Sequence, residues 1–109
     1  MSNSPDIGGL PLHAVSKMRA VFAAHPLVDR AVLFGSRAKG NHKNGSDIDL
    51  ALFGPLDHSE MGAIAWELDD LLLPWEIDLL LYDKIENADL REHIDRVGRL
   101  FYSRLEAAA

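Results

Sequence analysis

One stretch of eighteen residues limits what this 109-residue chain can fold into: Gly35-Ser36-Arg37-Ala38-Lys39-Gly40-Asn41-His42-Lys43-Asn44-Gly45-Ser46-Asp47-Ile48-Asp49-Leu50-Ala51-Leu52. Its end alternates, with Ile48, Leu50 and Leu52 on one parity and Asp47, Asp49 and Ala51 on the other. Alternation at period two marks a half-buried strand. Side chains at i and i+2 on a strand share a face, so this strand has an apolar face and an acidic one. Two neighbouring carboxylates repel, and one tends to take up a proton unless a cation neutralises them. Oxygen-only ligands suit Mg²⁺, which is usually held by one or two carboxylates together with substrate phosphates. The preceding loop is glycine-rich and carries Arg37, Lys39 and Lys43 but no acid. It offers backbone N–H groups, a hydroxyl and cations, which are what a phosphate needs. The combination predicts a metal-dependent enzyme acting on a nucleotide.

A net charge of −6 excludes indiscriminate binding to nucleic acid, because affinity for phosphate backbones comes mainly from Lys and Arg. A local basic loop on an acidic chain points instead to a small anionic ligand. The chain lacks cysteine, which removes disulfides, thiolate metal sites and a cysteine nucleophile and fits a cytoplasmic protein. No stretch reaches the length of a membrane span, and no signal peptide is recognisable. The length suits a single domain with a real core. Residues 1–9 read as a flexible leader, 10–106 as the domain and 107–109 as a tail.

Periodicity places the elements. Leu12, Val15, Met18 and Phe22 recur at helical spacing, with Pro11 in the first turn and Pro26 as the stop. Ala31 to Phe34 reads as a short buried strand, and Asp47 to Leu52 as the acidic-faced one, ended by Gly54-Pro55. Asp57 or Ser59 caps a helix through Leu72, broken by Pro74. Glu76 to Tyr82 is a third strand, with Asp78 on the face opposite Ile77, Leu79 and Leu81. A last helix starts near Asn87 or Asp89 and carries Leu90, Ile94, Val97, Leu100 and Phe101 as its stripe. Helices alternating with strands predict an α/β (α+β) domain.

Two familiar motifs do not fit. Gly35 and Gly40 have P-loop spacing, but Asn41-His42 stands where Lys-Ser/Thr would be required. Asp47-Ile48-Asp49 lacks the later ligands and glycine of an EF-hand. The five histidines show no metal-ligand spacing and read as surface or helix-end residues, and Trp66 and Trp75 read as core.

Gly35-Ser36, ten residues, Asp47-Ile48-Asp49 and then the Ile77-Asp78-Leu79 strand resemble the nucleotidyltransferase superfamily related to DNA polymerase β, and the small size resembles its minimal nucleotidyltransferase (MNT) branch. The resemblance spans about Leu12 to Phe101 and implies a small mixed sheet of three or four strands packed with helices. Lys39 stands where many relatives carry arginine, so charge is kept but bidentate geometry is not. The resemblance implies that Asp47, Asp49 and Asp78 are catalytic and hold two Mg²⁺ ions. It implies that Gly35, Ser36, Arg37, Lys39 and Ser46 bind the nucleotide, ATP. The reaction implied is attack of a hydroxyl on the α-phosphate, with pyrophosphate leaving. Members of this branch are commonly antitoxins of HEPN-domain RNase toxins, which implies a type VII-like antitoxin that adenylylates a tyrosine of such a partner. An aminoglycoside-type small-molecule nucleotidyltransferase and a toxin-binding module without catalysis are the alternatives.

Overall fold

The computed structural model describes residues 7–43 and 45–108. Leu12–Ala23 forms helix α1 and Arg30–Phe34 strand β1; the single-turn helix α2, Ser36–Lys39, follows. Strand β2 is Ile48–Phe53, helix α3 His58–Asp69 and strand β3 Ile77–Leu81. A 3₁₀ turn, Tyr82–Lys84, leads to helix α4, Ala88–Val97, strand β4, Arg99–Ser103, and helix α5, Arg104–Ala108. The four strands lie in the order β3-β2-β1-β4. Both β2 and β4 run antiparallel to β1, while β3 runs parallel to β2 after the α3 crossover. The expected small mixed sheet is therefore present, with four strands.

The expected cap residues act as caps. Asp57 Oδ1 accepts the Glu60 N–H at 2.8 Å, and Asn87 Oδ1 accepts the Leu90 N–H at 3.0 Å, so each satisfies a donor the helix cannot pair internally. Helix α3 ends at Asp69, short of the expected Leu72, which instead adopts a left-handed conformation at φ 57°.

The expected final helix through Phe101 does not form. Helix α4 stops at Val97, and Leu100 and Phe101 belong to β4. Gly98 makes the switch. A Cβ there would strike the Ile94 carbonyl oxygen and stand 2.6 Å from Val32 Cγ1, so only glycine lets the helix turn directly onto the sheet edge. The β1–β4 register then shifts between Ala31 and Val32, which pair with Tyr102 and Leu100. This bulge lets the adjacent Phe101 and Tyr102 both join the main core, where each ring meets Phe22.

Alternation along the strands builds two cores. Leu33, Ile48, Leu50, Leu52 and Leu81 face α1 and α3 and form one continuous cluster with Val15, Met18, Phe22, Ile64 and Leu68. The opposite face is smaller: Phe34, Ala51 and Ile94 are its buried centre, bordered by Val32, Phe53 and Leu80. Within the leader expected over residues 1–9, Ile7 is buried and the Gly8 carbonyl accepts a hydrogen bond from Arg37 at 2.7 Å. Residues 1–6 lie outside the described residues, as do Asn44 and Ala109. Of the expected tail, residues 107 and 108 end α5.

Candidate active site

The carboxylates gather where parallel β2 and β3 begin and antiparallel β1 ends. Asp49 is paired in register with Asp78 on one side and Phe34 on the other. Identical parity in a parallel pair puts Asp49 and Asp78 side by side on one face, and Asp47, just ahead of β2, precedes Asp49 by the strand period. Asp47 and Asp78 are exposed and Asp49 is half-buried. Burial raises the Asp49 carboxyl above the ordinary aspartate range, and the charges of Asp78 and then Asp47 raise it further; His93 opposes them. The apoprotein thus stores like-charge repulsion that a cation would relieve.

Gly35 connects this acidic cluster to the basic loop. It has φ 76° and ψ −156°, a conformation L side chains rarely adopt. A Cβ there would stand 2.5 Å from Asp49 Oδ2. Glycine alone therefore lets the loop backbone press against the half-buried carboxylate. The chain then closes into α2, with Lys39 N–H donating to the Gly35 carbonyl at 3.1 Å and Gly40 N–H to that of Ser36 at 3.0 Å. No side chain caps the start of this turn, and Ser36 at its head is half-buried. Lys39 is exposed.

Arg37 departs from the expectation of a phosphate ligand. It is 2% exposed, donates through Nη1 to the Gly8 carbonyl at 2.7 Å and through Nε to the Ser46 carbonyl at 3.0 Å, and stacks on Trp75 at 5.7 Å. Burial lowers its pKa. The guanidinium ties residues 7–10, the glycine loop and the β3 approach together, so it shapes the loop from behind. Ser46 shares this fastening: its carbonyl accepts from Arg37 and its hydroxyl accepts the Lys43 N–H at 3.0 Å.

His93 is the neighbour that sequence reasoning missed. Its ring stands edge-on to Phe34, centroids 6.3 Å apart, close enough that a positive charge on it would oppose the upward shift of Asp49. A signal existed, because Leu90, His93, Ile94 and Val97 follow helical i, i+3, i+4, i+7 spacing, which puts His93 on the packed side of α4.

The donor set is all oxygen and fits a hard cation such as Mg²⁺. Among the described residues no three acids or histidines converge into a ready-made cage.

The polymerase beta nucleotidyltransferase family matches residues 16–107 of the chain. The probable protein adenylyltransferase MntA of Haemophilus influenzae is 39% identical over 66 residues, covering 59% of this chain and 57% of that protein. The matched segment thus spans little more than half of that relative. Among solved structures, a toxin–antitoxin with AMP-PNP superposes with a TM-score of 0.68 at 22% identity, over 85% of this chain and 76% of that one. A complex of tri-AMPylated Shewanella oneidensis HEPN toxin with MNT antitoxin gives a TM-score of 0.63 at 19% identity, over 88% and 75%. At such identities the likeness is one of fold.

Proposed function

Because the chain belongs to the polymerase beta nucleotidyltransferase family, we propose that it transfers AMP from ATP to a hydroxyl, tyrosine in the first instance, of a HEPN-domain RNase toxin, and so acts as its antitoxin. The observation that carries this reading is the in-register pair Asp49 and Asp78 with the Gly35 backbone packed against Asp49. It would bring a triphosphate held by the loop beside the carboxylates. The similarity to MntA supports a protein as acceptor. No helix among the described residues is long and apolar enough to cross a membrane, and we place the reaction in the cytoplasm.

In this mechanism Asp47, Asp49 and Asp78 would hold two Mg²⁺ ions, which when bound stabilise charge on the attacking and leaving oxygens. The Gly35 backbone and Ser36 would hold the outer phosphates, and the exposed Lys39 would offset their charge. Arg37 and Ser46 keep the loop in the shape that presents those groups. Asp78, exposed like Asp47, is open to an incoming hydroxyl and would accept its proton. The acceptor oxygen attacks the α-phosphorus, the bond to the bridging oxygen breaks, and pyrophosphate departs with that electron pair.

Co-expression with a HEPN-domain partner, followed by intact mass measurement of both chains, tests the proposal. A partner heavier by one or more AMP units, unmodified when Asp47→Asn replaces the wild type, is the expected result. An unmodified partner that is bound and silenced would replace this reading with the contact-only module. Transfer to a small hydroxyl compound and to no protein would replace it with the small-molecule enzyme.

A further inference from the structure

The α3–β3 corner carries two large apolar side chains that the fold does not use. Trp66 is 77% exposed and Leu72 is 87% exposed. Their positions are built in. Trp66 stands on the outer side of α3, while Ile64 and Leu68 on its inner side are buried. Leu72 takes a left-handed backbone at φ 57°, which turns it outward between the half-buried Leu71 and Leu73. A left-handed backbone strains a non-glycine residue, and an outward leucine gives no packing in return. Trp66 borders a groove of about 690 Å³ that continues through Trp75 and Glu76. The groove reaches the active-site end of the sheet, since the Glu76 carbonyl accepts the N–H of Ile48, next to Asp47. Trp75 in turn lies over the Arg37 that shapes the phosphate loop.

The surrounding charge selects the occupant. From residue 44 to residue 83 the chain has ten acids and neither lysine nor arginine. Asp69 and Asp70 are exposed between Trp66 and Leu72, and Glu76 is exposed across the groove. Nucleic acid and an anionic membrane surface are repelled by such a patch. A second copy of this chain would bring the same acids against them. What fits is a protein surface with an apolar anchor ringed by lysine or arginine. Exposed tryptophan bordering a pocket is a common energetic centre of such contacts.

We propose that Trp66, Leu72 and the acids Asp69, Asp70 and Glu76 form the docking surface for the cationic acceptor protein, positioning its hydroxyl at Asp78. This rests on the proposed transfer to a HEPN-domain protein and names the part of the chain that grips it. A groove opening at the active-site end of the sheet would bring a docked hydroxyl toward Asp78.

The test is calorimetric titration of a HEPN-domain partner with the wild type, Trp66→Ala, Leu72→Asp and the double reversal Asp69→Lys/Asp70→Lys. AMP transfer and Mg·ATP affinity are measured on the same proteins. All replaced side chains are exposed, so the thermal transition should persist. Expected is a loss of partner affinity of about 30-fold for Trp66→Ala. A smaller loss is expected for the charge reversal, which should also flatten the salt dependence of binding. Mg·ATP affinity should be unchanged throughout. Wild-type affinity in all three variants, with transfer intact, overturns the docking surface and leaves the proposed function standing. A wild type that neither binds nor modifies the partner overturns both. A homodimer of this chain that Trp66→Ala splits in sedimentation would assign the patch to self-association and overturn the proposal.

Discussion

The two faces of the sheet are made by the same strands and differ almost completely. Along β2, Ile48, Leu50 and Leu52 are all at most 1% exposed and sit in the large cluster under α1 and α3. Their neighbours Asp49, Ala51 and Phe53 look the other way, toward α4, where Phe34, Ala51 and Ile94 form a small buried centre. At its far end that second face is closed by stacked rings and guanidiniums. Phe53 lies on Tyr82 at 4.3 Å, Arg30 covers Phe53 at 4.1 Å and Arg91 covers Tyr82 at 4.7 Å. At its near end it is left open around Asp49 and Asp78. A period of two thus separates two duties one residue apart. One face carries the burial that holds the fold, and the other tolerates repelling carboxylates because little packing depends on them.

Replacing Asp49 with asparagine is the sharpest way to probe that division. Transfer should fall by on the order of a thousandfold or more, roughly 4 kcal/mol of transition-state stabilisation. The apoprotein should not lose stability. The folded-state pKa of Asp49 is raised by burial and by Asp78 and Asp47, so its ionised form opposes folding at neutral pH. Removing the charge should raise the melting temperature without Mg²⁺. A variant that melts lower would show that Asp49 belongs to the structure as well as the chemistry.

Truncating the face packed under α1 and α3 should invert the pattern. Phe22 is fully buried and touches the Phe101 and Tyr102 rings. Phe22→Ala should cost roughly 3–4 kcal/mol, read as a lower denaturant midpoint. Activity per folded molecule should change little. Lost activity in molecules still folded would mean the two faces are coupled.

Arg37 and Lys39 carry the comparison into the loop itself. They are two positions apart in one glycine-flanked turn, yet Arg37 is buried and Lys39 is exposed. Arg37→Met removes a buried guanidinium and leaves the Gly8 and Ser46 carbonyls without their donor, at a cost of roughly 2–3 kcal/mol. Lys39→Ala should leave the melting temperature alone and raise the KM for ATP. Equal stability for both variants would return Arg37 to the role of a ligand.

That pair also marks the limit of what the sequence discloses. A cation in a glycine loop has the same local appearance whether it meets a phosphate or a carbonyl. What decides for Arg37 is Gly8, twenty-nine residues earlier in the chain. Local patterns, by contrast, were readable. The β2 alternation and the caps Asp57 and Asn87 follow from neighbours in sequence, whereas the pairing of Asp49 with Asp78 needs the β2–β3 register. The edge strand β4 was hidden because Leu100 and Phe101 continue the helical spacing of Leu90, Ile94 and Val97, and because its bulge erases alternation. Gly98 was the available break signal. Trp66 was read as core from its residue type, although it lies on the outer side of α3.

On the face packed under α1 and α3, His25 has a shifted titration, and pH tests whether it matters. His25, just past α1, meets α3 through both ring nitrogens: Nδ1 lies 2.8 Å from Glu60 Oε2 and Nε2 lies 2.8 Å from Glu67 Oε2. Both contacts are hydrogen bonds at full strength only when the imidazole is doubly protonated. Burial works to lower the His25 pKa, but the hydrogen bonds and charges of Glu60 and Glu67 together outweigh it, and the folded-state value lies above the ordinary 6.5. A raised histidine stabilises the folded chain fully below its unfolded pKa and loses that contribution as pH climbs through the folded one. The melting temperature should therefore decline from just below pH 6.5 upward, and the decline should disappear in His25→Gln. Activity per folded molecule should not follow this titration, because the clamp joins α1 to α3 on the face away from Asp49. A His25→Gln variant with an unchanged pH dependence of stability would mean the two glutamates hold an unprotonated ring. A shifted pH profile of transfer would instead tie this face to the chemistry on the other.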